Sequence, residues 1–251
     1  MRVTLLGRLP CAPCDTPLDM PDNPFPPGSF HKQDESPDGL FYAQPRLVNH
    51  IDDFAIAAVG EAYRHFLPPN GDYLDLMSSW VSHFPADMAV NSLTGHGMNE
   101  VELQANRRLS SYFVQDLNID PKLPLQDEQF DGVVICVSIQ YLTRPVEVFR
   151  EIGRVLKPGC PLVVAYSNRC FPTKAVAVWQ FLNDSEHADL IGTYADEAGC
   201  FDPAEAFDYS PERTGHGLPD DARTRALIES GQLRVDPLYV VVARKKNGSA
   251  T

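Results

Sequence analysis

The residues of this chain whose types could do chemistry stand at the ends of short apolar runs. Asp75 closes one run, with Met77, Ser78 and Ser79 in the turn after it. Gly95, Met98 and Asn99 follow a second, and Asp116 and Leu117 a third. Ser138, Gln140 and Tyr141 follow a fourth, and Asn168, Arg169 and Cys170 a fifth. Carboxylates and hydroxyls gathered in this way suit hydrogen bonding to a polar ligand. No nucleophile and base stand at a spacing that marks a catalytic dyad. His50 and His83 have no metal-ligating partner nearby in the sequence, and structural or solvated roles are expected for both. Cys11-Ala12-Pro13-Cys14 has ligand-like spacing, but structural zinc needs a second pair and none is present. No metal site is expected. Cys136 lies within an apolar run and reads as a core residue.

The elements that must position these residues alternate. Asp52 to Leu67 reads as a helix, with Phe54, Ile56, Val59, Tyr63 and Phe66 near helical spacing and Asp52 or Asp53 as its cap. Pro68-Pro69-Asn70-Gly71 ends it. Tyr73 to Leu76 is a first strand, and Leu93-Thr94-Gly95 ends a second before a helix from about Asn99 to Ala105. Tyr112-Phe113-Val114 is a third strand. Val133 to Val137 is a fourth, continuous and apolar, as a parallel strand buried on both faces should be. Pro145 opens a helix as its first-turn residue, with Val146, Phe149, Ile152 and Leu156 on one face. Leu162 to Ala165 is a fifth strand. Alternation of this kind implies a mostly parallel sheet with helices on both faces. Ligands of such sheets bind beyond the C-terminal strand ends, where the polar residues gather.

The chain has 251 residues, 43% of them hydrophobic, and a formal net charge of -13. That length supports one sizeable core with an appended arm. An acidic chain without a basic stripe lacks the footprint of a nucleic-acid binder, and binding to an anionic membrane surface is disfavoured on the same ground. No apolar run approaches the ~18 residues of a membrane span. A cytoplasmic location is expected, and the oligomeric state is left open. Residues 1–39 are proline-rich and read as an arm, either disordered or wrapped over the surface as extended chain. Order is expected to begin near Leu40, giving one domain over 40–246 and a flexible tail over 247–251. Deleting the arm is expected to leave most of the fold intact.

The order of motifs resembles the class I S-adenosylmethionine-dependent methyltransferases, in particular the small-molecule group that includes the ubiquinone and menaquinone methyltransferases (the type 11-like group). Tyr73-Leu74-Asp75-Leu76 is similar to the first motif, and Thr94-Gly95 with Met98 to the end of the second strand. Gln115-Asp116-Leu117 resembles the adenine-reading motif. Leu123-Pro124-Leu125 with Phe130 to Val134 resembles a further conserved passage. Val148 to Gly159, ending Arg154-Val155-Leu156-Lys157-Pro158-Gly159, is the most specific match. Leu238 to Ala243 would be the antiparallel last strand of a Rossmann-like, seven-stranded sheet.

The resemblance implies S-adenosylmethionine as cofactor and a small-molecule methyl acceptor. It implies that Asp75 holds the methionyl amino group and that Met77, Ser78 and Ser79 pass beside the methionine moiety. Asp116 and Leu117 would read adenine, Met98 would pack on its face, and Ser138 would contact the cofactor. Gly95 and Asn99 complete the implied binding set. The sequence departs from the pattern twice. The first turn lacks its glycines, and Gly97 stands where the family has a ribose-binding acid, for which Asn99 or Glu100 could substitute. Tyr42, Arg46, His50, Gln140, Tyr141, Asn168 and Arg169 are candidates for the acceptor side, with Phe41 to His50 as a lid. Two readings compete: in-line methyl transfer, or a degenerate fold that binds or assembles without catalysis. An NAD-dependent enzyme is disfavoured, since no G-x-G-x-x-G follows the first strand.

Overall fold

The computed structural model describes residues 2–3 and 24–248. Cys11 and Cys14 lie outside the described residues. The strands are β1 (Arg2–Val3), β2 (Asp72–Leu76), β3 (Ser92–Gly97), β4 (Ser111–Val114), β5 (Gly132–Cys136), β6 (Pro161–Tyr166), β7 (Glu205–Asp208) and β8 (Tyr239–Arg244). They form one sheet in the order β1-β7-β8-β6-β5-β2-β3-β4. β2 to β6 run parallel, and β8 is antiparallel to both of its neighbours. Seven strands reproduce the expected arrangement, with the antiparallel last strand inserted between β6 and β7. The two-residue β1 adds an eighth at the β7 edge.

The helices are α1 (Asp38–Phe41), α2 (Asp53–Phe66), α3 (Glu100–Ala105), α4 (Pro145–Val155), α5 (Ala177–Phe181), α6 (Asp184–Ala198), α7 (Pro211–Thr214) and α8 (Ala222–Glu229). Strand side chains alternate between the two faces of the sheet. Leu74, Leu76, Val133, Ile135, Leu162 and Val164 pack on one face against α4 and α6. Tyr73, Val134, Val163 and Ala165 pack on the other against Ala55, Ala58, Val59, Ala62 and Tyr63 of α2. The same alternation sends Asp75 to the α2 side. Asp52 caps α2 through the Ala55 N–H (2.9 Å) and also accepts the Asp236 N–H at 2.5 Å, so the helix start is tied to the approach of β8. Asn183 and Glu186 form a capping box at the start of α6, and Gly199 ends that helix in the left-handed conformation at φ 79. No helix among the described residues is long and apolar enough to cross a membrane.

The expectation that order begins near Leu40 is corrected. Phe25 is buried in the α4–α6 core, 5.5 Å from the Tyr194 ring and 5.1 Å from that of Phe30. Lys174 is 0% exposed and pairs with Asp34 (3.1 Å) and Asp38 (3.2 Å), while Lys32 pairs with Asp38 at 2.5 Å. The partners of this segment lie about 140 residues away in sequence, so a local reading of its prolines missed its packing.

Candidate active site

A cavity of about 260 Å³ opens beyond the C-terminal ends of β2, β3, β4 and β5. Two of these strands end in unusual backbone. Met77, directly after β2, has φ 60, and Val137, directly after β5, has φ 51. Side chains other than glycine occupy that left-handed region at a cost of about 1–2 kcal/mol. Both residues line the cavity, and strained backbone of this kind concentrates at functional sites. Met77 therefore takes up the conformation for which glycine would be the ordinary choice.

The glycine-poor turn is held in place by His96, a β3 residue only 1% exposed. Its Nδ1 accepts the Met77 N–H (3.1 Å), and its Nε2 lies 3.0 Å from the Gln115 carbonyl. An acceptor at Nδ1 and a donor at Nε2 fix the neutral tautomer. Burial accordingly pushes the His96 pKa down to about 4. The Ser78 N–H donates to the His96 carbonyl at 2.6 Å. A Cβ on Gly97 would stand 2.6 Å from the Ser78 carbonyl oxygen, so this turn lies directly against the end of β3 and needs glycine there. One imidazole thus joins the ends of β2, β3 and β4.

Asp75 is 4% exposed. Ser78 Oγ donates to its Oδ2 at 2.6 Å, and Ser82 Oγ donates to the same oxygen. Desolvation nonetheless outweighs these two donors and raises the Asp75 pKa to about 6. Asn106 donates to both Ser82 Oγ and the Ser79 carbonyl, each at 3.0 Å, which anchors the far side of the turn. Ser138 Oγ is buried without a hydrogen-bond partner among the described residues, and Ser138 lines the cavity. Asp116 accepts the Asn118 N–H through Oδ1 at 2.9 Å.

The segment from Tyr42 to Ile51 forms the outer wall. Asn99 caps α3 through the Glu102 N–H, while its amide donates to the carbonyls of Tyr42 (2.8 Å) and Ala43 (3.2 Å). Glu102 Oε1 accepts the Arg46 N–H at 2.6 Å, and the Trp80 indole donates to the Val48 carbonyl at 3.0 Å. The Arg46 guanidinium lies 4.4 Å from the Phe41 ring centroid and 5.4 Å from that of Phe171. The His50 ring meets Phe171 edge-on at 5.4 Å. Desolvation lowers the His50 pKa, with Glu102 opposing the shift and Arg46 adding to it. His83 Nδ1 is buried without a hydrogen-bond partner among the described residues, and desolvation lowers the ring's pKa to about 4, with His50 adding to the shift. Burial raises the Tyr141 pKa to about 12, and its oxygen accepts the Phe171 N–H at 2.8 Å.

The cavity brings together Asp75, Met77, Ser78, Ser79, Met98, Asn99, Asp116, Leu117 and Ser138. Tyr42, Arg46, His50, Tyr141 and Arg169 also line it. Three sequence candidates lie elsewhere. Gly95 is a packing glycine, because the Leu109 side chain fills the space a Cβ would need. Gln140 is 1% exposed beneath the floor, donating to the Val137 (3.1 Å) and Arg169 (3.3 Å) carbonyls. Asn168 is exposed outside the cavity. The Ser78 hydroxyl spends its one donor on Asp75, so toward a ligand it can only accept. Of the two substitutes for an acid at Gly97, Asn99 has both ends of its amide engaged, and Glu100 is exposed and does not line the cavity.

His96, Ser82 and Glu102 were missed in the sequence. The Asn99-to-Glu102 spacing reads as an ordinary helix start, and only the fold turns Glu102 toward Arg46. The flanking pair Gly95 and Gly97 was the available signal for a tightly packed His96.

The strand order and the cavity at the strand ends define the class I S-adenosylmethionine-dependent methyltransferase fold. A methyltransferase-domain family model matches residues 81–164. That match begins directly after Trp80, so Asp75 and the glycine-poor turn lie outside it. The malonyl-[acyl-carrier protein] O-methyltransferase of Marinomonas sp. (strain MWYL1) is 33% identical over 66 residues, which span 26% of this chain and 24% of that relative. Among solved structures, the [4+2]-cyclase SpnF aligns with a TM-score of 0.52 at 18% identity, over 84% of this chain and 92% of its own. An S-adenosylmethionine-dependent methyltransferase of Thermotoga maritima, described as a possible histamine N-methyltransferase, also aligns at 0.52 and 18% identity, over 77% of this chain and 90% of its own.

Proposed function

We propose that the protein transfers a methyl group from S-adenosylmethionine to a small-molecule acceptor in the cytoplasm by in-line displacement. The observation that carries this reading is the convergence of Asp75, Asp116 and Ser138, from three strand ends, on one cavity. The orphaned Ser138 hydroxyl is a buried polar group whose partner a ligand would supply. In this reading Asp75 accepts from the amino group, Asp116 Oδ2 accepts from the adenine amino group, and the Leu117 N–H donates beside it. Glu102 is the carboxylate available for the ribose hydroxyls, since it is buried and lines the cavity close to Gly97.

The bound sulfonium would supply an activated methyl and its leaving group. The chain's own contribution is alignment and exclusion of water by the Tyr42–Ile51 wall. An acceptor that arrives protonated needs a base. The group we assign is His83, whose ring lines the cavity, is neutral at neutral pH and has an Nδ1 free of any hydrogen bond among the described residues; at a pKa of about 4 it is a weak base, suited to orienting the acceptor's proton more than to removing it outright.

The test is calorimetry with S-adenosylhomocysteine. Saturable binding, weakened by Asp116→Ala, supports the reading. Absence of heat at millimolar ligand refutes it and favours a binding or assembly protein on a degenerate fold. That second reading has its own support in the occupied Asp75 carboxylate and in Gly97. One fold hosts many activities, so the cavity rather than the strand order carries the argument.

A further inference from the structure

We propose that the outer half of this cavity receives a small molecule bearing a carboxylate or related oxyanion on an apolar or aromatic body, with Arg46 as the anion-binding residue. Calling that molecule the methyl acceptor rests on the methyl-transfer reading above, whereas the anion site itself can be tested separately.

The chain carries 34 acidic residues against 21 Lys and Arg. Several of its arginines have used that excess. Arg64, Arg144, Arg154, Arg169, Arg213 and Arg225 each pair with a carboxylate. Arg46 has no ion pair among the described residues. Its Nη2 donates to the Phe41 carbonyl at 3.0 Å, and its Nη1 is buried with no hydrogen-bond partner among the described residues. Arg108 also has a buried nitrogen without a partner, but its Nη2 reaches the Pro85 and Met88 carbonyls and it does not line the cavity. Arg46 is therefore a half-buried cation that lines the cavity with no counter-ion among the described residues.

Its surroundings hold it ready. Phe41 and Phe171 flank the guanidinium, with Tyr42 at 5.9 Å, so the faces are covered by rings. An arginine stacked in this way keeps its in-plane N–H groups for a planar oxyanion. Glu102, the nearest acid on the wall, is turned to the Arg46 backbone instead. Asp38 is already paired with Lys32 and Lys174. Beside the cation, Tyr42, Tyr141, Leu142 and Phe171 form an apolar shelf, with the Tyr141 and Phe171 rings stacked at 6.0 Å. A charged head and a ring-sized body match that shelf.

The experiment titrates benzoate, phenyl phosphate and benzamide into the full chain, with and without S-adenosylhomocysteine, at low and high salt. Benzoate and phenyl phosphate separate a carboxylate from a phosphate ligand, and benzamide removes the charge while keeping the shape. At least one anion should bind ~10-fold more tightly than benzamide, lose that margin with added salt, and lose it in Arg46→Gln. Arg46→Lys should retain part of it, since the charge survives but the fork does not. If Arg46→Gln loses its melting transition, the benzamide margin, the salt dependence and Arg46→Lys decide in its place. Binding of benzamide as tight as that of both anions, an unchanged Arg46→Gln, or no binding of any probe overturns the proposal. Anion binding through Arg46 without S-adenosylhomocysteine binding would refute methyl transfer and leave this site standing. The opposite pattern would refute the anion site alone.

Discussion

Replacing Asp75 with asparagine should stabilise the protein while weakening its binding of S-adenosylhomocysteine. Asp75 is 4% exposed, and burial raises its pKa from 3.8 to about 6. At ~1.4 kcal/mol per pH unit, that gap makes the ionised carboxylate cost about 3 kcal/mol in the folded state. A folded pKa above the unfolded one means the cost is absent below 3.8, grows as pH rises, and is complete above about 6. Ser78 and Ser82 both donate to Oδ2, so an asparagine with its oxygen in that position keeps both hydrogen bonds. The expected gain is therefore ~1–3 kcal/mol at pH ~8 and close to none at pH ~4. Urea denaturation of both proteins across that range reads it directly, because every other titrating group cancels in the difference. S-adenosylhomocysteine affinity should fall at least ~10-fold in the same variant. A stability difference that ignores pH, or a loss that deepens as pH rises, would refute the desolvation argument.

His96→Phe should cost ~2–4 kcal/mol, because the Met77 N–H and the Gln115 carbonyl both lose their partner; chemical denaturation measures it. With folded pKa values of about 4 against 6.5, His96 and His83 contribute stability that is complete above pH 6.5 and lost as pH falls toward about 4, so His96→Phe should flatten the acid limb of the stability profile. Gly97→Ala should weaken S-adenosylhomocysteine binding, since its Cβ would displace the Ser78 carbonyl; an unchanged calorimetric affinity would show that the turn yields freely. Asp38→Asn should destabilise the fold by ~3–5 kcal/mol by leaving Lys174 short of a counter-charge, and melting should show deletion of residues 1–39 to be at least as damaging. That outcome would reverse the sequence-based expectation that the arm is dispensable.

The sheet was legible because its signals are local. Val133 to Cys136 is apolar throughout, and Pro145 fixes the start of α4, so strand and helix could each be placed from a few neighbours. The strand-end carboxylates Asp75 and Asp116 were legible for the same reason. Contacts across long sequence gaps were not. Nothing near Pro24 to Pro27 announces that Phe25 meets Tyr194, and nothing near Ser82 announces Asp75 as its partner. Gly95 was misplaced because a glycine at a strand end reads the same whether a ligand or Leu109 lies above it. The capping box at Asn183 was a usable sign of α6 that the sequence reading passed over.

The outer wall of the cavity also bears on the order in which the chain assembles. Tyr42 and Ala43 are anchored by Asn99, over 57 and 56 residues. Lys174 reaches back 138 residues to Ser36, and Asp236 reaches back 184 residues to Asp52. Loop closure over such spans is entropically slow compared with turns and adjacent strand pairing. During synthesis Phe25, Phe41 and the face of α2 thus emerge first and find their partners last, when β6 and then β8 are complete. The inner half of the cavity, built from β2 to β5, should reach native protection before its wall does. Pulse-labelled hydrogen exchange during refolding would place the amides of Ser29 to His50 in the slowest phase. Until that phase ends, the early aromatic residues depend on dilution or on chaperones to stay out of aggregates.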